Sequence, residues 1–362
     1  MTNYNTQIYL ICGSGGVGKT TVSAALGLKF AEEGLKAIVL TIDPAKRLAS
    51  SLGLKELTDT PKKIQTGSHS GEMWAMMLDT KRTFDRIVER YAPDPATRER
   101  IYNNKIYKHL SQMLAGSQEY MAMERLYEIW QQDAYDVIVV DTPPMQNAVD
   151  FLDAPDRLSN MISNSMLHLL LKPSITLGKA GFKFLEKGSQ QILKIFDRIV
   201  GFAFLQDISE MLIAFQELLG GFNSRAVEVK ALLQSPATHF MAVCTTNANS
   251  VSETEGFSKK LGELGYHLKK IVVNRICPGK ALSKDRLASD HKVLLKIFEK
   301  SEADLLFDNY ERHLPLVRRD NKMIARLAEF LGREHVTTVP LFLSDIHDVK
   351  GLKLITKHLA VS

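Results

Sequence analysis

A doubly wound α/β fold on a mostly parallel sheet, carrying an inserted helical subdomain, is the architecture the sequence predicts. Three observations carry it. Apolar runs of strand length recur along the chain. A glycine cluster ending in Lys-Thr sits directly between the first such run and a stretch with helical spacing. The stretch Arg157–Ser235 has helical patterning and no clear strand. The first two together are the mark of a βαβ unit, and the third interrupts an otherwise alternating chain.

The elements follow in order. Gln7–Cys12 (QIYLIC) is a buried strand running into the glycines. Thr20–Glu33 has helical spacing and ends at Gly34, a C-cap residue. Lys36–Asp43 (KAIVLTID) is the second strand, close enough to the first to make a parallel pair with the helix as crossover. Glu72–Asp79, Asp136–Asp141, His239–Thr245, Lys270–Asn274 and Val336–Pro340 are further buried strands. Helices are expected over Thr83–Tyr91, Pro95–Leu114, with proline in its tolerated first turn, and Glu119–Gln131. Within the insertion, Ile208, Met211, Leu212, Phe215, Leu218, Leu219 and Phe222 form an i, i+3, i+4 stripe. Ile192, Ile195, Phe196 and Ile199 form another, and Pro173 with glycines 178, 181 and 188 breaks the first half into shorter pieces. The expected organisation is a nucleotide-binding α/β domain over 1–156 and 236–362, with the helical insertion at 157–235.

Composition sets the class. At 362 residues, 45% hydrophobic and 24% charged, the chain can bury an ordinary globular core. Cys12, Cys244 and Cys277 are far apart, which excludes a disulfide framework and a CxxC zinc clip and fits a cytoplasmic protein. Met1–Gln7 has no signal-peptide core, and no apolar run reaches the roughly 18 residues of a membrane span. The net charge of +5 is spread over isolated pairs such as Lys62-Lys63 and Arg318-Arg319. That pattern fits a solvated surface and not a nucleic-acid footprint.

The chemistry concentrates in four segments. Gly13-Ser14-Gly15-Gly16-Val17-Gly18-Lys19-Thr20 matches G-x-x-x-x-G-K-[ST] between a strand and a helix. Glycines let backbone N–H groups curl around phosphate oxygens, and the helix N-terminus adds a favourable dipole. Lys19 is expected to reach the β- and γ-phosphates of ATP, and the Thr20 hydroxyl to ligate Mg²⁺. Asp141 ends an apolar strand ahead of Thr-Pro-Pro, facing the crevice where α/β sheets bind ligands, and can hold a metal-bound water. Asp43, in Thr41–Arg47, can orient water or contact Mg²⁺, or cap the following helix. Asn274 ends its strand with an amide that suits either an adenine edge or a turn.

With those segments in view, the chain resembles the arsenite-pump and tail-anchor-targeting ATPase family, a branch of the dimeric SIMIBI class of P-loop proteins. The resemblance runs through Gly13–Thr21 (GSGGVGKTT), Thr41–Leu54 (TIDPAKRLASSLGL), Asp141–Pro155 (DTPPMQNAVDFLDAP), Val272–Pro278 (VVNRICP) and Val339–Leu343 (VPLFL). It implies a switch I at Thr41–Ala49, a switch II at Asp141–Asn147, a water-activating role for Asp43, and Asn274 and Pro340 beside the adenine. Two positions depart from the family pattern. Ser14 stands where the family usually has a signature lysine that crosses the dimer interface, and Ser50 stands where switch I often carries a second acid.

The resemblance implies an ATP- and Mg²⁺-using switch working as a homodimer or as a heterodimer with a related ATPase. Its tail-anchor-targeting branch suggests a hydrophobic helical client or membrane-protein partner, held by the insertion with Met161 and Met166 in an adaptable groove. Its arsenite-pump branch usually clusters cysteines, which this chain does not. Ser14 also motivates a slow or non-hydrolysing ATP-binding subunit. The C-terminal stretch Ile346–Leu359, with Val349, Leu352, Ile355 and Leu359 on one face, reads as a helix packed on the sheet in preference to one lying on lipid.

Overall fold

The computed structural model describes residues 5–43, 45, 47–67, 70–92, 94–104, 107, 117–145, 224–279 and 284–359. Residues 157–223, with Met161, Met166, Met211 and Phe215, lie outside the described residues, as do Pro44, Lys46, Gln146 and Asn147. The chain divides into two compact units. The first gathers Met1–Met77, Tyr135–Ala148 and Pro236–Ser362, and the second gathers Leu78–Ala134 and Val149–Ser235.

The first unit is built on an eight-stranded sheet in the order β3-β4-β2-β5-β1-β6-β7-β8. Its strands are β1 (Gln7–Gly13), β2 (Lys36–Thr41), β3 (Lys62–Ile64), β4 (Glu72–Met77), β5 (Val137–Asp141), β6 (Thr238–Cys244), β7 (Leu268–Ile276) and β8 (Val336–Pro340). Every pairing is parallel except β3 with β4. Strands buried on both faces read as unbroken apolar runs, and this is why β1, β2 and β5 stand out in the sequence. The short antiparallel β3 does not stand out, because two of its three residues are exposed lysines. Strand β2 stops at Thr41, so Asp43 lies in the loop beyond it. The expected doubly wound α/β architecture is observed.

Helix α1 (Lys19–Glu32) follows β1 and is closed by a C-terminal turn. Leu35 donates its N–H to Phe30 (3.0 Å) and Gly34 to Ala31 (3.2 Å), with Gly34 at φ +94°. That arrangement satisfies the last carbonyls and needs a residue at ease in the left-handed region. Val22, Ala25, Leu26 and Phe30 on the buried side of α1 share one core cluster with Val39 and Met73 of the sheet. Gly27 makes the approach close: a Cβ there would overlap the Val39 Cγ2 methyl. Short α2 (Arg47–Ser51) places Leu48 and Ala49 in the same core. The C-terminal helix adds Leu352 and Ile355 to that cluster, packing chiefly against α1 and not directly on the sheet as the sequence suggested.

The carboxyl edge of β7 is irregular. Val273 pairs with Thr338 and Ile276 with Pro340, so β7 advances three residues where β8 advances two. The extra residue forms a bulge at Asn274–Arg275, with Arg275 at φ +59°. Bulges bend a strand and re-aim its side chains, and they collect beside functional sites.

In the second unit, α3 (Thr80–Tyr91), α4 (Pro95–Asn103) and α5 (Ser117–Gln131) are joined by the helical residues 224–233. Asp79 and Asp94 cap α3 and α4 by accepting the N–H groups of Arg82 and Thr97. A buried ionic network ties these helices together. Glu128 meets Arg86 (3.3 Å), Arg90 (3.3 Å) and Arg125 (2.8 Å), and Glu124 meets Arg90 (3.3 Å) and Arg225 (3.4 Å). Burial pushes the Glu124 carboxyl up to about 7. The remaining helices of the first unit are α6 (Ala248–Glu263), α7 (Lys284–Ile297), α8 (Lys300–Leu331) and α9 (Val349–Thr356). None of the described helices is long and apolar enough to cross a membrane.

The close contact at Gly27 yields a test of the packing. Gly27→Val inserts three carbons between α1 and β2 and should lower unfolding stability by about 1–3 kcal/mol, read as a shift of the urea midpoint at unchanged slope.

Candidate functional site

The site lies where β1 hands over to α1. Gly13 is the last residue of β1, and a Cβ there would overlap the Val243 carbonyl of β6, so the chain can leave the sheet at this point only as glycine. Gly16 and Gly18 both take positive φ, +78° and +95°. A Cβ at Gly18 would overlap the Asn274 amide nitrogen. Gly15 and Gly16 face open space. The loop thus presents backbone to the outside and is fixed from beneath. Helix α1 starts at Lys19 with no side-chain cap, so its first N–H groups are available to an anion.

Lys19 lies across the loop. Its ammonium donates to the carbonyls of Gly13 (2.8 Å) and Ser14 (3.0 Å). Burial pulls its pKa down, opposed first by the charge of Asp141. Thr20 and Thr21 occupy the first turn of α1 behind it. The Thr20 hydroxyl donates to Oδ2 of Asp141 (2.8 Å), and the Thr41 hydroxyl at the end of β2 donates to the same oxygen (2.9 Å). Three parallel strand ends are drawn together there, because β5 lies between β1 and β2.

Asp141 is 1% exposed, and its other oxygen, Oδ1, has no hydrogen-bond partner among the described residues. Burial pushes its carboxyl up to about 6, against the hydrogen bonds from Thr20 and Thr41. A buried carboxylate oxygen without a donor is a costly arrangement that a bound cation resolves. The donor set of one carboxylate and one hydroxyl, both hard oxygens, suits Mg²⁺ completed by water and phosphate. The residues therefore fit the metal: Thr20 and Asp141 would hold it. Asp43 accepts the N–H of Ala45 (2.9 Å) and faces Arg47 at 3.5 Å, the geometry of a turn-capping carboxylate at the start of α2.

The remaining expected residues are placed as follows. The Asn274 amide donates to the Val17 carbonyl (2.8 Å), while its oxygen accepts the N–H of Arg275 (2.9 Å). Arg275 adds a contact from Nη1 to the Gly16 carbonyl (3.2 Å). Pro340 ends β8 level with Ile276. The Ser14 hydroxyl donates to a carboxylate oxygen of Glu253 on α6. Sequence reasoning missed Arg275 and Glu253 altogether. Arg275 lies inside the Val272–Pro278 segment without being singled out, Glu253 belongs to no motif, and only the bulge and the helix register bring them to the loop. Cys12 and Cys244 are buried in β1 and β6, and burial pushes both thiols up to about 12.

Asp141 also predicts a pH dependence. Its folded-state pKa of about 6 exceeds the ordinary value of 3.8. The folded protein thus holds a proton that the unfolded chain releases. Stability of the metal-free protein should therefore fall as pH rises from about 4 to 6 and level off above. The difference in unfolding free energy between wild type and Asp141→Asn should change by about 2–3 kcal/mol across that window, measured by urea titration in chelator.

Comparison with known proteins agrees with this geometry. The profile of the anion-transporting ATPases matches residues 6–333. An ATPase ASNA1 homolog of Cryptosporidium parvum is 24% identical over 375 aligned positions, covering 94% of this chain and 91% of that protein. An ATPase ASNA1 homolog of Babesia bovis is 26% identical over 272 residues, covering 75% of this chain and 66% of the relative. A Chlorobaculum tepidum protein, named provisionally as an arsenical pump-driving ATPase, is 28% identical over 218 residues, which are 57% of this chain and half of that protein. A phosphate-loop strand–turn–helix, the Thr20–Asp141 pair and a match that spans nearly the whole length lead to one conclusion: the chain belongs to the anion-transporting ATPase family.

Proposed function

We propose that the chain is a Mg²⁺-dependent ATPase that works as a nucleotide-driven switch. The observation that carries the reading is the Lys19–Thr20–Asp141 constellation, with a buried oxygen of Asp141 that no described protein group satisfies. Gly13, Ser14, Gly15, Gly16, Val17, Gly18, Lys19, Thr20 and Thr21 would cradle the phosphates through backbone N–H groups. Lys19, now turned onto the Gly13 and Ser14 carbonyls, would exchange those contacts for the β- and γ-phosphates. Thr20 and Asp141 would hold Mg²⁺, which when bound neutralises charge developing on the phosphate oxygens. Asp43 would orient the attacking water or contact the metal through water. Asn274 and Pro340 would border the adenine, with Asn274 bracing the loop at the same time.

The switch would act as a homodimer or in a heterodimer with a related ATPase, and its output would be the capture of a hydrophobic helical client or membrane-protein partner by residues 157–235. Relatives called ASNA1 homologs and the amphipathic stripe through Met211 and Phe215 support that assignment. Use of the three cysteines for a metalloid is disfavoured: Cys12 and Cys244 are buried, and their raised pKa keeps them as thiols. A slower or non-hydrolysing role has one observation of its own. Ser14 leads to the Glu253 carboxylate, so the loop position that the family resemblance assigns to a lysine here adjoins an anion.

Two experiments decide these points. ATP turnover by the wild-type chain should exceed that of Lys19→Ala by roughly 100-fold or more, and equal rates would reduce the chain to a nucleotide binder at most. Met211→Glu or Phe215→Glu should abolish capture of an apolar helix while leaving ATP binding intact; capture that survives both places the client elsewhere.

A further inference from the structure

One acid outside every motif ties the carboxyl edge of the sheet together. Asp320 lies in α8, is 2% exposed, and has both oxygens fully engaged. Oδ1 accepts the Thr246 hydroxyl (2.6 Å) and the Arg319 guanidinium (2.9 and 3.1 Å). Oδ2 accepts the backbone N–H of Cys277 (2.7 Å). Burial works against its charge, and Cys277, Thr246 and Arg319 outweigh it, holding the carboxyl below its ordinary value. A buried carboxylate so fully partnered fixes whatever it binds, since losing one partner leaves a buried charge or N–H unsatisfied.

What it binds are the roots of two separate supports of the phosphate loop. Cys277 directly follows β7, two residues beyond Arg275 in the bulge. Arg275 and Asn274 hold the Gly16 and Val17 carbonyls. Thr246 immediately precedes the N-cap of α6, and α6 carries Glu253, the acceptor for Ser14. The first support therefore runs from Asp320 through Cys277 and the bulge to Gly16 and Val17. The second runs through Thr246 and the first turns of α6 to Ser14. Both start on one carboxylate, and both end within four consecutive residues of the loop.

We propose that Asp320 is a positioning residue for nucleotide binding, setting the height and tilt of the Ser14–Val17 backbone from α8 by clamping Cys277 and Thr246. The proposal rests on the reading of Gly13–Thr21 as the ATP phosphate loop. It touches neither nucleotide nor metal; its effect is on how well the loop is preformed, so it belongs to affinity and not to the chemical step.

The test uses the full-length chain with Asp320→Asn, Thr246→Val, Asn274→Ala and the Asp320→Asn/Asn274→Ala double variant. Affinity for ATP and ADP is measured by calorimetric titration, turnover by phosphate release, and folding by thermal melts. Asp320→Asn should weaken both nucleotides and raise KM by about tenfold while kcat stays within about threefold. Thr246→Val should shift affinity in the same direction by a smaller factor. In the double variant the combined loss should fall short of the product of the two single losses, because the two share the bulge support, while the Thr246 support is lost only with Asp320. Affinity and KM within about twofold of wild type in Asp320→Asn, whatever the melting temperature does, would overturn the proposal. Effects that multiply in the double variant overturn it as well. If Asp320→Asn does not fold, the outcome rests on Thr246→Val, whose unchanged affinity would also overturn it. Wild-type protein that binds neither nucleotide removes the ATP reading and this one with it, whereas wild-type binding with unaffected variants removes this one alone.

Discussion

Everything at this site depends on the hydrogen bond by which Thr20 meets Asp141. It can form because β5 pairs in parallel with both β1 and β2. In that register Ile11 lies opposite Asp141, so the end of β1 comes level with the end of β5. Thr41, at the end of β2, reaches the same oxygen from the other side. A buried carboxylate needs donors, and the two hydroxyls supply them to one oxygen only. The other oxygen is left without a donor among the described residues. Parallel pairing, burial and the paired hydroxyls are in this sense one arrangement, and an antiparallel or slipped β5 would undo all of it.

The parts of the fold legible in the sequence are those with a local cause. The phosphate loop is readable because its glycines answer to positive φ at Gly16 and Gly18 and to the tight exit at Gly13. Central strands are readable because burial on both faces makes them continuously apolar. Asp141 is readable as a charged residue closing such a run. Boundaries are less so: β2 ends at Thr41, short of Asp43, since nothing in the local pattern marks where a ladder stops. The three-residue β3 is hidden by its exposed lysines.

Other features could not be read at all, for the opposite reason. Asp320 follows two arginines in a long helix, a pattern that ordinarily denotes a solvated face, yet it is buried against Thr246 and Cys277, which lie just beyond the ends of β6 and β7. Glu253 meets Ser14 across 239 positions of sequence. The Asn274–Arg275 bulge places a non-glycine residue in the left-handed region, where no compositional signal announces it. Tertiary partners alone specify these three, and they are also the residues that hold the loop from behind. The sequence shows the glycines and the Lys-Thr pair of the loop, while the groups that fix the height of that loop emerge only from the fold.

Arg275 sets an easy backbone and a braced loop against each other at a single residue. Its left-handed backbone costs roughly 1 kcal/mol relative to glycine at the same φ, and its guanidinium is what reaches Gly16. Glycine would relax the bulge and release the loop. A population of variants enriched only for thermal resistance would therefore drift toward glycine at 275, while one enriched for nucleotide binding would hold arginine there. On the proposed ATP reading, loop order at this position is maintained at the expense of an easier backbone.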